Sequence, residues 1–294
     1  MSQQQQPEVR IAVVGGSGIY ALSRMDEVED YTLETPFGAP SDAIHVGLID
    51  GIRVAFLARH GRNHHLLPSE INFRANIWAL KSLGVERIIS ASAVGSLSEE
   101  IAPRDVVTCD QFIDRTHLRP STFFGRGIVA HVGLGDPVCN TVRERLAASV
   151  IEQGGRCHDR GTYVCMEGPA FSTRAESELY RSWGAQVIGM TNLQEARLAR
   201  EAEICYATMA LVTDYDCWHE DEEDVSVGAL LENLKANSTL AAAVVRDVVA
   251  QFAGMPRECG CEHALREAIL TPLAKVPRQT LDDLAPILHK YGLK

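Results

Sequence analysis

Several things are missing from this 294-residue chain, and each absence narrows its function. No apolar run is long enough to span a bilayer. Positive charge is scarce: 28 Lys and Arg stand against 39 Asp and Glu, for a net charge of −11. That balance argues against a nucleic-acid or acidic-membrane partner, so any small anion must be held by a local positive site. The opening MSQQQQPEVR has no basic stretch leading into an apolar core and does not read as a secretory signal. Eight cysteines are scattered along the chain, and only Cys259 and Cys261 are closely paired. That spacing is neither a disulfide scaffold nor a zinc ribbon, and it fits a reducing cytoplasm. The Cys259-Gly260-Cys261 pair admits a redox couple, half of a metal site or, the reading favoured by spacing alone, two incidental thiols in a polar linker. There is no P-loop, HExxH, GxSxG or cluster of acidic metal ligands, and no metal is expected among the site residues.

What is present is an ordinary globular composition, 46% hydrophobic and 23% charged, in which strand-like and helix-like segments alternate without a repeat or a low-complexity linker. The alternation predicts one α/β domain over 9–294, preceded by a disordered polar tail at 1–8 and extended C-terminally from about 255. Expected strands include 10–14, a hairpin of 44–49 and 53–58 through Asp50-Gly51, 87–91, 106–112, 162–166, 186–190 and 205–214. Expected helices are 68–83, 141–153, one opened by the capping box Thr173-Arg174-Ala175-Glu176, one capped by Thr191 or Asn192 with Glu195 placed for a second box, and 225–253.

The chemistry gathers where strands end. Gly15-Gly16-Ser17-Gly18 follows the first strand and offers free amides and a hydroxyl to an anion. Arg59-His60-Gly61-Arg62-Asn63-His64-His65 is the densest positive run in an acidic protein, and Arg59 can meet a phosphate with a planar fork of donors. Ser92-Ala93-Val94-Gly95-Ser96 reads as a third small-residue loop, and Thr191 stands at a helix N-terminus. The buried run 205–214 ends in Asp214-Tyr215-Asp216, which is either a pair of carboxylates aimed at a ligand beyond the sheet or a solvated acidic turn. A rival reading comes from Gly16-Ser17-Gly18-Ile19-Tyr20-Ala21, which fits the GxGxxG/A fingerprint of NAD-dependent oxidoreductases. Glu34 stands near the expected acidic position, but the breaker-rich Thr35 to Pro40 follows at once instead of the rest of a βαβ unit. A non-catalytic nucleoside-binding role is also open. Four anion-binding loops without a protein nucleophile motif suggest that phosphate itself attacks.

Taken together, Gly15 to Gly18, Arg59 to Arg62, Asn76-Ile77-Trp78-Ala79-Leu80-Lys81, Asp110 to Thr116, Glu167-Gly168-Pro169 with Phe171-Ser172, and Thr213 to Trp218 resemble the trimeric purine nucleoside phosphorylase family, most closely its S-methyl-5′-thioadenosine phosphorylase branch. The resemblance covers roughly 10–250. It implies a single-domain nucleoside phosphorylase fold with a distorted mixed sheet flanked by helices, a homotrimer, no cofactor, and phosphate as co-substrate. It further implies phosphate ligands Ser17, Arg59, His60, Ser92, Ala93 and Thr191. Substrate contacts are implied at Gly95, Phe171 on the base, Ile188, Met190 at the ribose, and Tyr215, with Val225, Val227 and Leu231 lining a 5′-methylthio pocket near His64 and His131. Asp214 would interact with purine N7 as the base departs, and Asp216 would receive the 6-amino group. Relatives acting on 6-oxopurine nucleosides carry Asn where this chain has Asp214 and Glu where it has Ser172, so those positions predict an adenine base. A methylthioinosine-cleaving variant lacks the Asp-Tyr-Asp sequence that is intact here.

Overall fold

The computed structural model describes residues 9–16, 25–219 and 227–292, with the backbone alone described at 227–231 and 234. The predicted tail 1–8, Ser17 and Val225 lie outside the described residues, and so do the side chains of Val227 and Leu231.

Branched and small apolar residues build one mixed sheet: β1 (Ile11–Gly15), β2 (Asp26–Tyr31), β3 (Ile44–Ile49), β4 (Ile52–Ala58), β5 (Arg87–Ser96), β6 (Val106–Val107), β7 (Gln111–Arg115), β8 (Cys157–His158), β9 (Thr162–Met166), β10 (Val187–Gly189) and β11 (Cys205–Asp214). The order is β2-β3-β4-β1-β5-β10-β9-β7, with β11 paired to β5 and β6, and β8 to β6. The helices are α1 (Phe73–Ser82), α2 (Asn140–Glu152), α3 (Arg174–Ser182), α4 (Asn192–Glu201), α5 (Val227–Phe252), α6 (Arg278–Asp283) and α7 (Ala285–Leu288).

Both faces of the central strands are covered, which explains their near-continuous apolar sequences. Ala12, Val14, Ala55 and Leu57 join a core with Ile77, Leu80 and Leu198 from α1 and α4. Their alternates Ile11, Val13, Val54 and Phe56 face a second core with Val142 and Leu146 of α2 and Val244, Val245, Val248 and Phe252 of α5. The i, i+1, i+4, i+8 spacing of those α5 residues is the apolar stripe of a helix laid on a sheet.

Three segments differ from expectation in ways that shape the site. Ser92 to Ser96 is not a loop but the second half of β5. The strand runs parallel to β1 through Ala91 and to β11 as far as Gly95, then pairs antiparallel with β10 at Gly95 and Ser96. A change of partners within one strand needs strong local twist, which small side chains permit, and β11 shifts register between Val212 and Asp214 at the same level. The stretch predicted as one strand at 106–112 splits into β6 and β7. Helix α1 starts at Phe73 because Asn72 caps it by accepting from the Ala75 amide. The dinucleotide-fold rival fails on topology: β2 pairs antiparallel with β3, while the parallel neighbours of β1 are β4 and β5.

Candidate active site

The ends of β1, β4, β5, β10 and β11 surround a cavity of about 370 Å³. One side is formed by Gly16, Arg59, His60, Ser92, Ala93 and Thr191, and another by Gly95, Phe171, Ile188, Met190, Asp214 and Asp216.

Arg59 directly follows β4, and its amide donates to the Gly15 carbonyl at 2.9 Å, locking the ends of β1 and β4 together. Its side chain is 1% exposed and meets Glu195 of α4 in a bidentate pair, Nε to Oε1 at 2.5 Å and Nη2 to Oε2 at 3.1 Å. Nη2 also donates to Ser90 Oγ at 2.7 Å and Nη1 to the Ala91 carbonyl at 3.2 Å. Burial opposes the guanidinium charge, but the Glu195 carboxylate outweighs it and holds the pKa above its ordinary value. Glu195 therefore does not close a second capping box as the sequence suggested. It fixes Arg59, and the capping residue Thr191 makes no side-chain capping bond. The α4 N-terminus, with its positive dipole end, borders the cavity at Thr191.

His60 is pushed down to about 4 by burial, with the neighbouring Arg59 charge acting the same way. Its ring is therefore neutral near pH 7. Nδ1 lies 2.9 Å from the Leu66 carbonyl, an acceptor, so Nδ1 carries the proton and Nε2 keeps its lone pair. The His64 ring stands 4.5 Å from it, and His64 also lines the cavity. Ser92 Oγ donates to Asn192 Oδ1 at 2.5 Å, which ties β5 to the first turn of α4.

At the other side, Asp214 accepts from the Thr213 hydroxyl at 2.6 Å and from the Asp216 amide at 2.8 Å. Gly95 makes room for it: a Cβ there would lie 3.0 Å from Asp214 Oδ1 and 3.3 Å from Asp216 Cβ. Asp216 occupies the left-handed region, φ 55°, which Asp tolerates better than most residues. Its Oδ2 is shut off from solvent and has no hydrogen-bond partner. Burial raises the pKa of both carboxyls. The Thr213 hydroxyl and Asp216 amide partly offset this at Asp214, while the Ser177 hydroxyl opposes it at Asp216 and the Asp214 charge reinforces it. An upward shift at carboxyls lining a cavity moves them toward the range in which an acid can share a proton with a ligand.

Not every residue singled out from the sequence lines the cavity. Tyr215 turns aside, its ring stacked on His219 at 4.7 Å and edge-on to Trp218. Ser172 sits just behind, near Asp216, with its hydroxyl 3.7 Å from Met166 Sδ. His131 is exposed, and its amide donates to the Ala268 carbonyl near the C-terminal segment, so this chain's fold does not bring it to the cavity. Conversely, Arg119 escaped sequence reasoning because it lies in an irregular stretch with no periodic signal. Its buried guanidinium binds the Met190, Met166 and Glu167 carbonyls and the Glu167 carboxylate, clamping the ends of β9 and β10 that carry the cavity wall. His65 at the end of the basic run, and Leu66, Leu67 and Pro68 beyond it, also line the cavity.

A mixed sheet whose strand ends bring Arg59, His60 and a helix N-terminus into one cavity with the carboxyls of Asp214 and Asp216 has the makings of a phosphorolytic enzyme. The chain belongs to the Phosphorylase superfamily, whose family model matches residues 10–250. Among known proteins it is 58% identical over 284 residues, 96% of this chain and 87% of the relative, to S-methyl-5′-thioadenosine phosphorylase of Synechocystis sp.. Its structure is similar, at TM-score 0.92 and 48% identity, to a methylthioadenosine phosphorylase from an antarctic soil metagenomic library, covering 97% of this chain and 100% of that one. It is also similar to methylthioadenosine phosphorylase from Schistosoma mansoni in complex with adenine, at TM-score 0.85 and 33% identity, covering 89% of this chain and 99% of that one.

Proposed function

We infer that the chain cleaves the N-glycosidic bond of S-methyl-5′-thioadenosine with phosphate, releasing adenine and S-methyl-5-thioribose 1-phosphate. The observation that carries this reading is the pairing, in one cavity, of the Arg59 and His60 rim with the raised-pKa acids Asp214 and Asp216. Near full-length relatives bearing that activity in their names support it.

Phosphate would sit against Ser17, Arg59, His60, Ser92, Ala93 and Thr191, where α4 adds amides and a positive dipole end. A phosphate oxygen forms the new bond to C1′ as the C1′–N9 bond breaks, and the bonding pair leaves with the purine. Its negative charge stabilises the oxocarbenium-like transition state from fixed geometry. The electrons reaching N7 are met by a hydrogen bond or proton from Asp214, whose raised pKa favours the donor form. Asp216, which lines the same cavity, would receive the 6-amino group of adenine, a match that a 6-oxopurine lacks. Phe171, half-exposed on the wall, packs on the base, and Met190 with Ile188 and Gly95 orders the sugar. By the family resemblance, the methylthio group would be lined by Val225, Val227 and Leu231, with His64 nearby.

The reaction asks for no cofactor, since phosphate is both nucleophile and co-substrate. A cytoplasmic homotrimer is the assembly and location that the family resemblance supports, with neither nucleic acid nor membrane as partner. Among the described residues no helix is long and apolar enough to cross a membrane.

The test is ultraviolet detection of adenine release from S-methyl-5′-thioadenosine with and without phosphate, with adenosine and inosine run alongside. Phosphate-dependent adenine release is expected, and its absence refutes the reading. Asp214→Asn should lower kcat by about 10²–10⁴-fold, the usual worth of a positioned proton donor, while relatively favouring inosine. Unchanged adenine selectivity would remove Asp214 from its role.

A further inference from the structure

Cys139, Cys205, Cys259 and Cys261 come from three distant parts of the chain, yet their Sγ atoms all lie within 4.8 Å of one another. Cys139 is the N-cap of α2 and has no side-chain capping bond, and its amide donates to the Tyr206 carbonyl at 2.8 Å. Cys205 opens β11, and Cys259 and Cys261 stand at the start of the short 3₁₀ turn Gly260–His263. Three of the four are buried and Cys259 is half-buried.

The convergence of all four sulfurs is the informative feature. Two disulfides require only two close pairs and leave the distances between pairs free. A tetrahedral ion with metal–sulfur bonds of about 2.3 Å draws every sulfur to about 3.8 Å from the other three. Cys205 and Cys259, from separate segments, are already 3.3 Å apart. The surroundings fit such an ion. Arg200 Nη1 stands 4.0 Å from Cys261 Sγ, and the same guanidinium is anchored on the Asp136 carbonyl. A fixed cation there offsets the net negative charge of four thiolates around a divalent metal.

We propose that these four cysteines form a closed Cys₄ site for one zinc ion, which fastens the segment after Gly254 to the start of β11 and the first turn of α2. As four zinc–sulfur bonds form, each thiol gives its proton to solvent, with no change of oxidation state. With four protein ligands no coordination position remains open, so the site is structural. It is also remote from the carboxylates. Cys205 and Asp214 are the two ends of β11, a ten-residue strand that spans roughly 30 Å. The Cys-x-Cys pair that looked incidental in the sequence is half of this site, and the other half comes from residues 54 and more positions away.

The experiment is elemental analysis of the full-length protein purified under reducing conditions without chelator. About one zinc per chain is expected, released by a thiol-reactive mercurial, and cobalt(II) added to the metal-free protein should give the intense visible absorption of a tetrahedral thiolate complex. The double variant Cys259→Ser/Cys261→Ser should lose the metal and melt at lower temperature while phosphorolysis at moderate temperature persists. Cys157→Ser, outside the cluster, should keep the zinc. Wild-type protein that binds no zinc or cobalt even when they are added overturns the proposal, whether its four thiols all alkylate freely or mass spectrometry finds disulfides among them.

Discussion

Replacing Glu195 with Gln tests how the Arg59 rim, the proposed phosphate site, is built. In the native site Glu195 Oε1 and Oε2 face Arg59 Nε and Nη2 at 2.5 and 3.1 Å, and Oε2 also accepts from the Ser90 and Tyr206 hydroxyls, both at 2.9 Å. Glutamine keeps one acceptor and substitutes a donor for the other. Whichever way the amide points, one Arg59 N–H then meets an N–H, and a guanidinium 1% exposed loses its counter-charge. Breaking a buried pair from one side costs about 3–5 kcal/mol, a large share of the 5–15 kcal/mol that typically separates folded from unfolded domains. Urea denaturation near neutral pH should show that loss. Added phosphate should restore more stability to the variant than to the native protein, because an anion on the rim takes over part of the charge balance. The double variant Arg59→Met/Glu195→Leu should regain much of the stability while losing phosphorolysis, since neither charge remains to be paired. A Glu195→Gln protein within about 1 kcal/mol of native, the scale of an exposed ion pair, with an unchanged response to phosphate would refute this account of Arg59.

Three further outcomes follow from the same geometry. Gly95→Ala puts a methyl 3.0 Å from Asp214 Oδ1 and 3.2 Å from Ile188 Cγ2. Steady-state kinetics should show kcat falling by about tenfold or more with a smaller change in stability, and native kcat would show that Asp214 does not need its present position. Glu201, buried against the Phe123 amide and Thr122 hydroxyl, has its pKa raised by burial to about 7. Its contribution is present below the unfolded value near 4.5 and is lost as pH rises through 7, a swing on the order of 3 kcal/mol. Glu201→Gln, which mimics the protonated form, should therefore gain stability relative to native between pH 5 and 8 in chemical denaturation, and a pH-independent difference would refute the assignment. His60 is neutral with its Nδ1 proton committed to Leu66. Calorimetry near pH 8 in buffers of different ionisation heat should show proton uptake when phosphate binds, absent in His60→Asn; equal uptake in both would place the proton elsewhere.

Much of the fold was legible because it depends on local patterns. The hairpin at Asp50-Gly51 forms with φ of 50° and 80° at its two turn residues, as a two-residue turn of that composition requires. Thr173 and Glu176 form the expected reciprocal capping box. Apolar runs such as Cys205–Asp214 became strands covered on both faces. The acidic edge strand β2, DEVEDY, has no apolar alternation to betray it, and it exists because β3 offers it an edge.

The residue types of the cavity, a basic rim after β4 and acids after β11, were set out by the sequence itself, because strand-end position follows from local hydrophobic periodicity. Which residues hold one another was decided only in three dimensions. Glu195 looked like a capping residue until α4 packed against β11 and β5 and brought its carboxylate to Arg59, 136 positions away. Arg119 has no local signature at all, and His131 proved to lie at the surface beside the C-terminal segment. Four cysteines with no meaningful spacing converge because β11 and α2 begin beside the returning C-terminal chain. Local propensity reads neighbours along the backbone, whereas charge pairing and metal geometry depend on distances set by the packing of the whole sheet.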